Sequence, residues 1–206
     1  MRNGIMLWGV SMFFKSWFAR YEERFNVNYE KLRLITPDIR YWRSFKNSYR
    51  GYRAHKVEDF AYPKVDTLEE FSYFLRSADE HRRGLNVPYG SVPTSLFWLT
   101  DDVNYLASGS IRHYLNDNLK LFGGHIGYSV RTEVWGMGLG TILLGYLLPE
   151  ARKLGIIRPR LTCYESNTAS RRVMEKNGAV FMGRVVNRIN GKDRPTLIFE
   201  IDLTMR

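Results

Sequence analysis

The stretch from Gly124 to Leu154 reads GHIGYSVRTEVWGMGLGTILLGYLLPEARKL and decides the fold. Its apolar spacing predicts a strand over HIGYSVR, a glycine-rich turn, and a helix that buries residues such as Leu139 and Leu143 and ends at Gly155. The first backbone amides of such a helix point into the turn. A strand, a turn and a helix in this order therefore indicate an anion-binding site.

Two familiar phosphate motifs do not match the turn Gly136-Met137-Gly138-Leu139-Gly140. A dinucleotide fold places its third glycine at the sixth position and an acid about 20 residues later. Here the third glycine comes at the fifth position, and no acid lies between Ile156 and Arg160. A P-loop needs a lysine before its Ser or Thr, and Gly140-Thr141 lacks one. The chemistry of both motifs is missing.

The chain before this stretch predicts one strand and two helices. Alternating residues after Tyr29 predict the strand, and Thr36-Pro37-Asp38 predicts an N-cap and first turn for a helix to about Tyr49, with Ile39, Trp42 and Phe45 on its buried face. Thr67 and Glu70 form a capping box that begins the second helix, which should stop by Gly84. These two helices should flank the entrance to the sheet that follows.

The remaining elements are strands over SLFWLT and YLASGSIRHYL, a strand near PRLTCYE, a short helix TASRRVMEKN, and a hairpin turning at Asn190-Gly191. The whole order indicates an α+β fold with a mixed, mostly antiparallel sheet of about six to seven strands and helices on both faces. We expect one domain over 1–206: an extension at 1–28, the early strand, helices and start of the sheet at 29–104, and a second half at 105–206.

Composition limits the class of protein. The formal charge is +10, which favours anionic partners, whether a nucleic acid or a small polyphosphate. Cys163 is the one cysteine, so the chain can form no internal disulfide and no cysteine-based metal cluster, and we expect no metal. The apolar run Ile5–Phe14 is about half of the ~20 residues that a membrane span needs. We therefore expect an N-terminal extension that docks on the domain, no membrane span, and a cytoplasmic setting.

Three segments, HIGYSVR, WGMGLGTILLGYLLPEARKLG and ESNTASRRVMEKNGAVF, resemble the acetyl-CoA site and following helix of the GNAT superfamily of N-acetyltransferases. The likeness spans roughly residues 105–204. Gly138 and Gly140 match the family's turn pattern, whereas Trp135 stands where the family usually has Arg or Gln. The resemblance implies a GNAT-like fold and direct transfer of an acetyl group from acetyl-CoA to a primary amine of a small molecule, a peptide or a protein.

The resemblance also implies which residues hold the coenzyme. Turn amides would bind its pyrophosphate, with Arg131, Arg171 or Arg172 meeting the remaining charge, and the strand would pair its pantetheine arm through main-chain groups. Asn167 and Ser170 would contact the arm or cap the short helix. The expected coenzyme-binding residues are Tyr128, Ser129, Val130, Gly136, Met137, Gly138, Leu139, Gly140, Thr141, Asn167, Ser170 and Arg171.

The catalytic groups are less defined. In much of the family a tyrosine in the short helix protonates the thiolate, and Met174 stands at that position here. Tyr164 or a water is left as the acid, or the thiolate leaves unprotonated, and Glu165, His113 and His125 are candidates for the base. A structural role is open for each of them, and Cys163 is expected to be a buried small hydrophobe. The acceptor pocket should lie between the early helices, the strand containing His113 and the final hairpin.

Two other functions stay open at this stage. The missing tyrosine and base suggest a CoA-binding module with little or no turnover. The basic ends suggest, more remotely, a nucleic-acid binder, although the aromatic residues are scattered through periodic segments and form no stacking stripe. The amine acceptor is unidentified, and a homodimer is compatible with the sequence.

Overall fold

The structure, a computed structural model, describes residues 25–55, 65–189 and 191–204. The expected docking of the extension falls largely on residues 1–24 and lies outside the described residues. The strands are β1 (Arg33–Ile35), β2 (Thr94–Thr100), β3 (Tyr105–Arg112), β4 (Ile126–Val130), β5 (Arg160–Tyr164), β6 (Val180–Ile189) and β7 (Lys192–Glu200). The helices are α1 (Trp42–Ala54), α2 (Leu68–Arg82), α3 (Asp117–Leu121), α4 (Leu139–Lys153) and α5 (Thr168–Lys176).

The seven strands form two antiparallel sheets, ordered β1-β2-β3-β4 and β5-β7-β6. A single bridge between Gly124 and Leu161 joins them, and beside it the N–H of His125 donates to the carbonyl of Arg160 at 2.6 Å. Past this joint β4 and β5 separate. The predicted α+β class and strand number are confirmed, and the expected sheet is divided at the edge where β4 and β5 diverge.

Helices cover both faces of the strands, as predicted. On one face α4 packs its buried leucines on β3 and β4, and α5 closes the same core with Met174. On the other face α1 and α2 enclose an aromatic cluster in which Phe45 stacks on Trp98 with ring centroids 5.1 Å apart. Trp98 has no exposed surface. Each face therefore has its own apolar core, and the strands lie between them.

Local signals at the start of the chain needed correction. The first helix is capped by Asp38 rather than Thr36, because the Asp38 carboxylate accepts the N–H of Arg40 at 2.8 Å and starts a 3-10 turn before α1. Ile39, predicted to be buried, is 44% exposed on that turn. The helix then continues to Ala54, beyond the predicted Tyr49.

Other local predictions are confirmed. The capping box of Thr67 and Glu70 is present at the start of α2. The final hairpin turns where predicted, since Ile189 pairs with Lys192 and Gly191 has a φ of +74°. Within the described part of the chain, no helix is long and apolar enough to cross a membrane.

Candidate active site

The glycine-rich turn leaves open space in front of the first turn of α4. Gly136 and Gly138 both have φ of +79°, a left-handed conformation that favours glycine, and a Cβ on either would meet no atom within 4 Å. Gly140 has a different role, because its Cβ would lie 3.1 Å from Val173 Cγ2 and 3.5 Å from Val130 Cγ2. The turn is thus open on one side and closely packed on the other.

Of the backbone amides from Met137 to Thr141, those of Gly138, Leu139 and Gly140 have no acceptor among the described residues. The amides at the two ends of the predicted set are engaged, since Met137 N–H donates to Val134 O at 3.3 Å and Thr141 N–H donates to Gly138 O at 3.0 Å. Adjacent free N–H groups at the positive end of a helix bind anions, phosphates above all.

The strand that leads into the turn has one unpaired edge. β4 bonds to β3 on one side, and on the other side no strand of the described chain pairs with Tyr128, Ser129 or Val130. The edge of β5 that faces it is also vacant beyond the joint at Leu161. An extended ligand can therefore pair with β4 through main-chain groups.

Side chains on both faces of β4 link the strand to the helices. The Tyr128 hydroxyl lies 2.9 Å from Ser170 Oγ and 3.1 Å from Ser170 O, which ties β4 to α5. Burial raises the pKa of Tyr128, so its phenol stays protonated. On the opposite face, Ser129 Oγ donates to the Tyr52 hydroxyl of α1 at 3.1 Å. These contacts use no main-chain group of β4, so the N–H and C=O of Tyr128 and the N–H of Val130 are available at the open edge.

Trp135 fastens the turn to the end of β4. Its indole N–H donates to the Val130 carbonyl at 2.7 Å, and its ring makes an edge contact with His55 at 5.2 Å between centroids. The Tyr29 hydroxyl adds a second fastening by donating to Met137 O at 2.8 Å. Tyr29 was missed at the level of sequence because it lies 108 residues away from its partner. Trp135, which stands in the family's Arg or Gln position, thus stabilises the turn without a charge.

Arg131 does not meet the phosphate site. Its side chain is 4% exposed, and it donates to Ser44 Oγ, to Tyr105 O at 2.9 Å and to the Glu133 carboxylate at 2.8 Å. The guanidinium also lies 4.1 Å from the ring centre of Phe25. The sequence suggested a phosphate contact from proximity along the chain, but the structure uses Arg131 to connect α1, β3 and the start of the described chain.

The residues of α5 are placed beside the β4–β5 opening. Asn167 caps the helix by accepting the N–H of Ser170 at 3.0 Å, which is the structural role considered for it. Arg171 is exposed and ion-paired with Glu175 at 2.8 Å. Arg172 is exposed and forms no ion pair within the described residues. Of the two cations, Arg172 is therefore the one available to a ligand phosphate at the surface.

The two histidine candidates lie at the closed end of the opening. The His125 ring accepts the N–H of Arg160 at 2.9 Å, and burial lowers its pKa, so it serves as part of the joint between the sheets. His113 lies beyond the end of β3, where its Nε2 is 2.9 Å from Ser95 Oγ, and burial lowers its pKa. Val130, at the open end, pairs with Ala107, and His113 comes six residues after Ala107. His113 is therefore about 20 Å along the strand from the open end.

The other two catalytic candidates lie at the open end, where β5 finishes. Tyr164 and Glu165 line a cavity of about 330 Å³ together with Asp193, Arg194 and Pro195 of β7 and Ser166. The Arg194 guanidinium lies 5.5 Å from the ring centre of Tyr164, whose hydroxyl is buried. Glu165 is exposed and receives two hydrogen bonds of 3.0 Å from Arg184, which lower the pKa of its carboxyl.

The remaining two residues of interest are structural. Met174, at the position of the family's usual tyrosine, has no exposed surface and belongs to the core beneath α4 and α5. Cys163 is also buried, and burial raises its pKa to about 11, so its thiol is protonated and poorly nucleophilic. The expected hydrophobic role of Cys163 agrees with its place in the core.

Comparison with known proteins gives the same family as the sequence motifs. A family model described as the acetyltransferase (GNAT) domain matches residues 32–180. No curated protein sequence matches the chain significantly.

Solved structures with the same fold include three acetyltransferases. YncA of Salmonella typhimurium, with acetyl-CoA, is 15% identical, with a TM-score of 0.58 and coverage of 85% of this chain and 96% of that one. RimL, a ribosomal L7/L12 α-N-protein acetyltransferase with coenzyme A, is 18% identical, with a TM-score of 0.64 and coverage of 88% and 98%. A ribosomal-protein-S5-alanine acetyltransferase of Vibrio fischeri is 18% identical, with a TM-score of 0.64 and coverage of 86% and 96%.

Proposed function

The chain belongs to the GNAT family of acetyltransferases, and from this premise we propose that it transfers an acetyl group from acetyl-CoA to a primary amine of a small molecule, a peptide or a protein. One observation carries the proposal. Three free amides, at Gly138, Leu139 and Gly140, follow β4, and the edge of β4 that faces away from β3 pairs with no strand of the described chain. A pyrophosphate joined to an extended amide-containing arm has the chemistry that matches both features.

The residues present fit this coenzyme. The three amides would hold the pyrophosphate, with the α4 dipole adding to the attraction, and the exposed Arg172 on α5 would meet an outer phosphate. The N–H and C=O of Tyr128, which face the opening, would bond the amides of the pantetheine arm, whereas the Val130 carbonyl is bonded to the Trp135 indole. Gly136 and Gly138 leave room for the phosphates because they have no side chain to fill it.

Acetyl-CoA supplies an activated acetyl thioester when it is bound. In the transfer, the amine nitrogen forms a new C–N bond, the C–S bond breaks, the amine gives up one proton and the departing thiolate gains one. A main-chain N–H on the vacant edge of β4, at Val130 or its neighbour, can donate to the acetyl oxygen as negative charge develops there. The protein must also provide a path for the proton.

Among the candidates from sequence, we assign the proton path to Tyr164. His113 and His125 lie at the closed end of the opening, and the Glu165 carboxylate is occupied by Arg184. Tyr164 ends β5 at the open end and lines the 330 Å³ cavity, where an amine can enter. A phenol hydroxyl can accept a hydrogen bond while it donates one, so Tyr164 would give its own proton to the departing thiolate and receive the proton that the amine loses.

Acetyl-CoA is expected to stabilise the protein against heat. At a ligand concentration of 100 times Kd, binding adds about 2.7 kcal/mol, which for a chain of this size raises Tm by roughly 5–10 °C. Thermal denaturation with and without acetyl-CoA measures this, with ATP and NADH at equal concentration as controls. The proposed function is wrong if acetyl-CoA near 1 mM gives no shift, or a shift no larger than that of ATP.

Tyr164→Phe is expected to lower kcat at least tenfold, at the low end of what a positioned proton-transfer group contributes, while acetyl-CoA still shifts Tm as in the wild type. Free thiol release with a saturating amine acceptor gives kcat. Tyr114→Phe, a change of an exposed tyrosine after β3, is the matched control. An unchanged kcat in the Tyr164 variant would remove this residue from the mechanism.

A CoA-binding module without turnover is the second candidate, and the buried Met174 favours it because the family's usual acid is absent from α5. It predicts the same thermal shift and no acetyl product with any amine. The homodimer and the cytoplasmic setting expected from the sequence stay predictions.

A further inference from the structure

A second cavity, of about 440 Å³, lies at the closed end of the β1–β4 sheet. Its volume is in the range of cavities that hold small molecules. His113 forms part of its wall, and this residue is about 20 Å along the strand from the open end of the β4–β5 opening. The cavity is therefore separate from the proposed coenzyme and amine sites.

This second cavity lies at the edge of β2 rather than over one face of the sheet. Three consecutive residues of β2, Ser95, Leu96 and Phe97, line it, although successive side chains of a strand point to opposite faces. Residues from α2, which covers one face, and from α4, which covers the other, complete the wall. Because the other edge of β2 pairs with β3, the cavity lies on the side where β1 pairs.

β1 is too short to cover this edge of β2. It pairs with β2 as far as Ile35, which lies opposite Trp98. If the chain continued in the same register, Pro37 would come opposite Leu96, and a proline has no N–H to donate. Thr36 and Pro37 line the cavity instead. The edge of β2 is thus open at Leu96.

Leu96 directs both of its main-chain polar groups to the open edge. The N–H of His113 donates to the Pro93 carbonyl at 2.9 Å. By the alternation of an antiparallel ladder, Ser95 and Phe97 also face β3, and Leu96 faces the opposite edge. Neither its N–H nor its carbonyl has a hydrogen-bond partner among the residues that the structure describes. The cavity therefore offers a ligand one main-chain donor and one main-chain acceptor.

The charges around the cavity are paired with one another. On the α2 side Arg82 lies 2.7 Å from Asp79, and on the α4 side Lys153 lies 2.7 Å from Glu150. Burial lowers the pKa of His113, which favours a neutral imidazole. A charged ligand would have to compete with these ion pairs, whereas an uncharged ligand leaves them intact.

We propose that this cavity binds an uncharged planar heterocycle of the adenine type, held along one edge by the main chain of Leu96. Adenine presents the complementary pair of groups, since its N7 accepts a hydrogen bond and its N6 amino group donates one. Leu75, Phe97 and Leu154 supply apolar wall for the faces of the ring. Of the β2 residues that line the cavity, Leu96 alone faces the open edge, which suits a ring better than an added peptide strand, because a strand would use several such residues.

The first test compares ligands that differ in one donor. Adenosine and N6,N6-dimethyladenosine are titrated calorimetrically into the full chain with coenzyme A in excess, because the coenzyme itself contains adenine. We expect adenosine to bind and the dimethylated nucleoside, which has no N–H at N6, to bind at least about tenfold more weakly, the effect of one hydrogen bond. AMP should bind no more tightly than adenosine, because the cations of the cavity are already paired.

The second test removes the donor from the protein. Leu96→Pro deletes the N–H at the open edge, where a proline within a strand is tolerated. Thr94→Pro is the matched control, because Thr94 also faces outward from β2 but does not line the cavity. We expect adenosine binding to weaken at least about tenfold in Leu96→Pro and less than about threefold in Thr94→Pro.

A third pair of variants decides the outcome if Leu96→Pro does not fold. Ala78→Phe fills the cavity from α2 without a change in β2, and Ser72→Phe places the same side chain on an exposed position of that helix. We expect Ala78→Phe to abolish adenosine binding and Ser72→Phe to retain it.

The proposal is overturned if adenosine does not bind in the presence of coenzyme A, or if N6,N6-dimethyladenosine binds equally well. It is also overturned if each cavity variant binds adenosine as its control does, and tighter binding of AMP would contradict the uncharged ligand. The adenosine site does not depend on the proposed function. If the protein binds no coenzyme A, the proposed function fails, and the same titrations still decide the second site.

Discussion

Gly138→Val is expected to weaken acetyl-CoA binding at least hundredfold, a loss of about 2.7 kcal/mol. Gly138 has a φ of +79°, and a Cβ placed on it enters open space directly in front of the free amides of the turn. A β-branched side chain there covers the amides and disfavours the left-handed backbone that aims them. Isothermal titration with acetyl-CoA measures the loss of affinity.

Gly155→Val is the matched control for this experiment. Gly155 has a φ of +78° and open space around its Cβ position, but it follows the C-terminal end of the same helix α4. Both variants therefore have similar backbone strain, and only the change at Gly138 lies at the amides. Equal affinities in the two variants would show that the turn does not bind the coenzyme.

Gly124→Ala is expected to lower the free energy of unfolding by about 3 kcal/mol and to weaken the joint between the two sheets. A Cβ at Gly124 would lie 2.4 Å from the Arg160 carbonyl oxygen and 3.0 Å from Leu161 Cα, both backbone atoms that cannot move aside. The bridge to Leu161 must therefore open. Urea denaturation of both proteins, fitted with a common m-value, measures this loss of free energy of unfolding.

Gly84→Ala is the control variant, because it carries the cost of a left-handed alanine without the steric clash. Gly84 also has a positive φ, +74°, but its Cβ would make only an ordinary contact of 3.7 Å with Pro93. We expect this variant to lose about 1 kcal/mol, the cost of a left-handed alanine alone. If the two variants are equally stable, the joint at Gly124 does not hold β4 and β5 together.

The coenzyme half of the site was predictable because its signals are local. The strand, the turn and the helix that make it follow one another within Gly124–Leu154, and the glycine positions fix where the amides point. Asn167 likewise caps a helix that begins one residue later. Contacts over a few residues are set by backbone propensity and spacing, which a sequence displays directly.

The assignments that failed or stayed open all depend on distant partners. Arg131 is close to the turn along the chain, but Ser44 and Tyr105 are the groups that receive its hydrogen bonds. His125 was a candidate base, and Arg160 determines its role in the joint. No spacing in the sequence reports such pairs, because they form only when strands from different parts of the chain are brought together.

The sequence by itself determined the family, the α+β class and the phosphate turn, because glycine spacing and helix periodicity are properties of contiguous residues. Only the tertiary structure decided where the opening between β4 and β5 closes and which candidates lie at its open end. Those features depend on where one strand stops relative to its neighbour, and that relation arises from long-range pairing and packing.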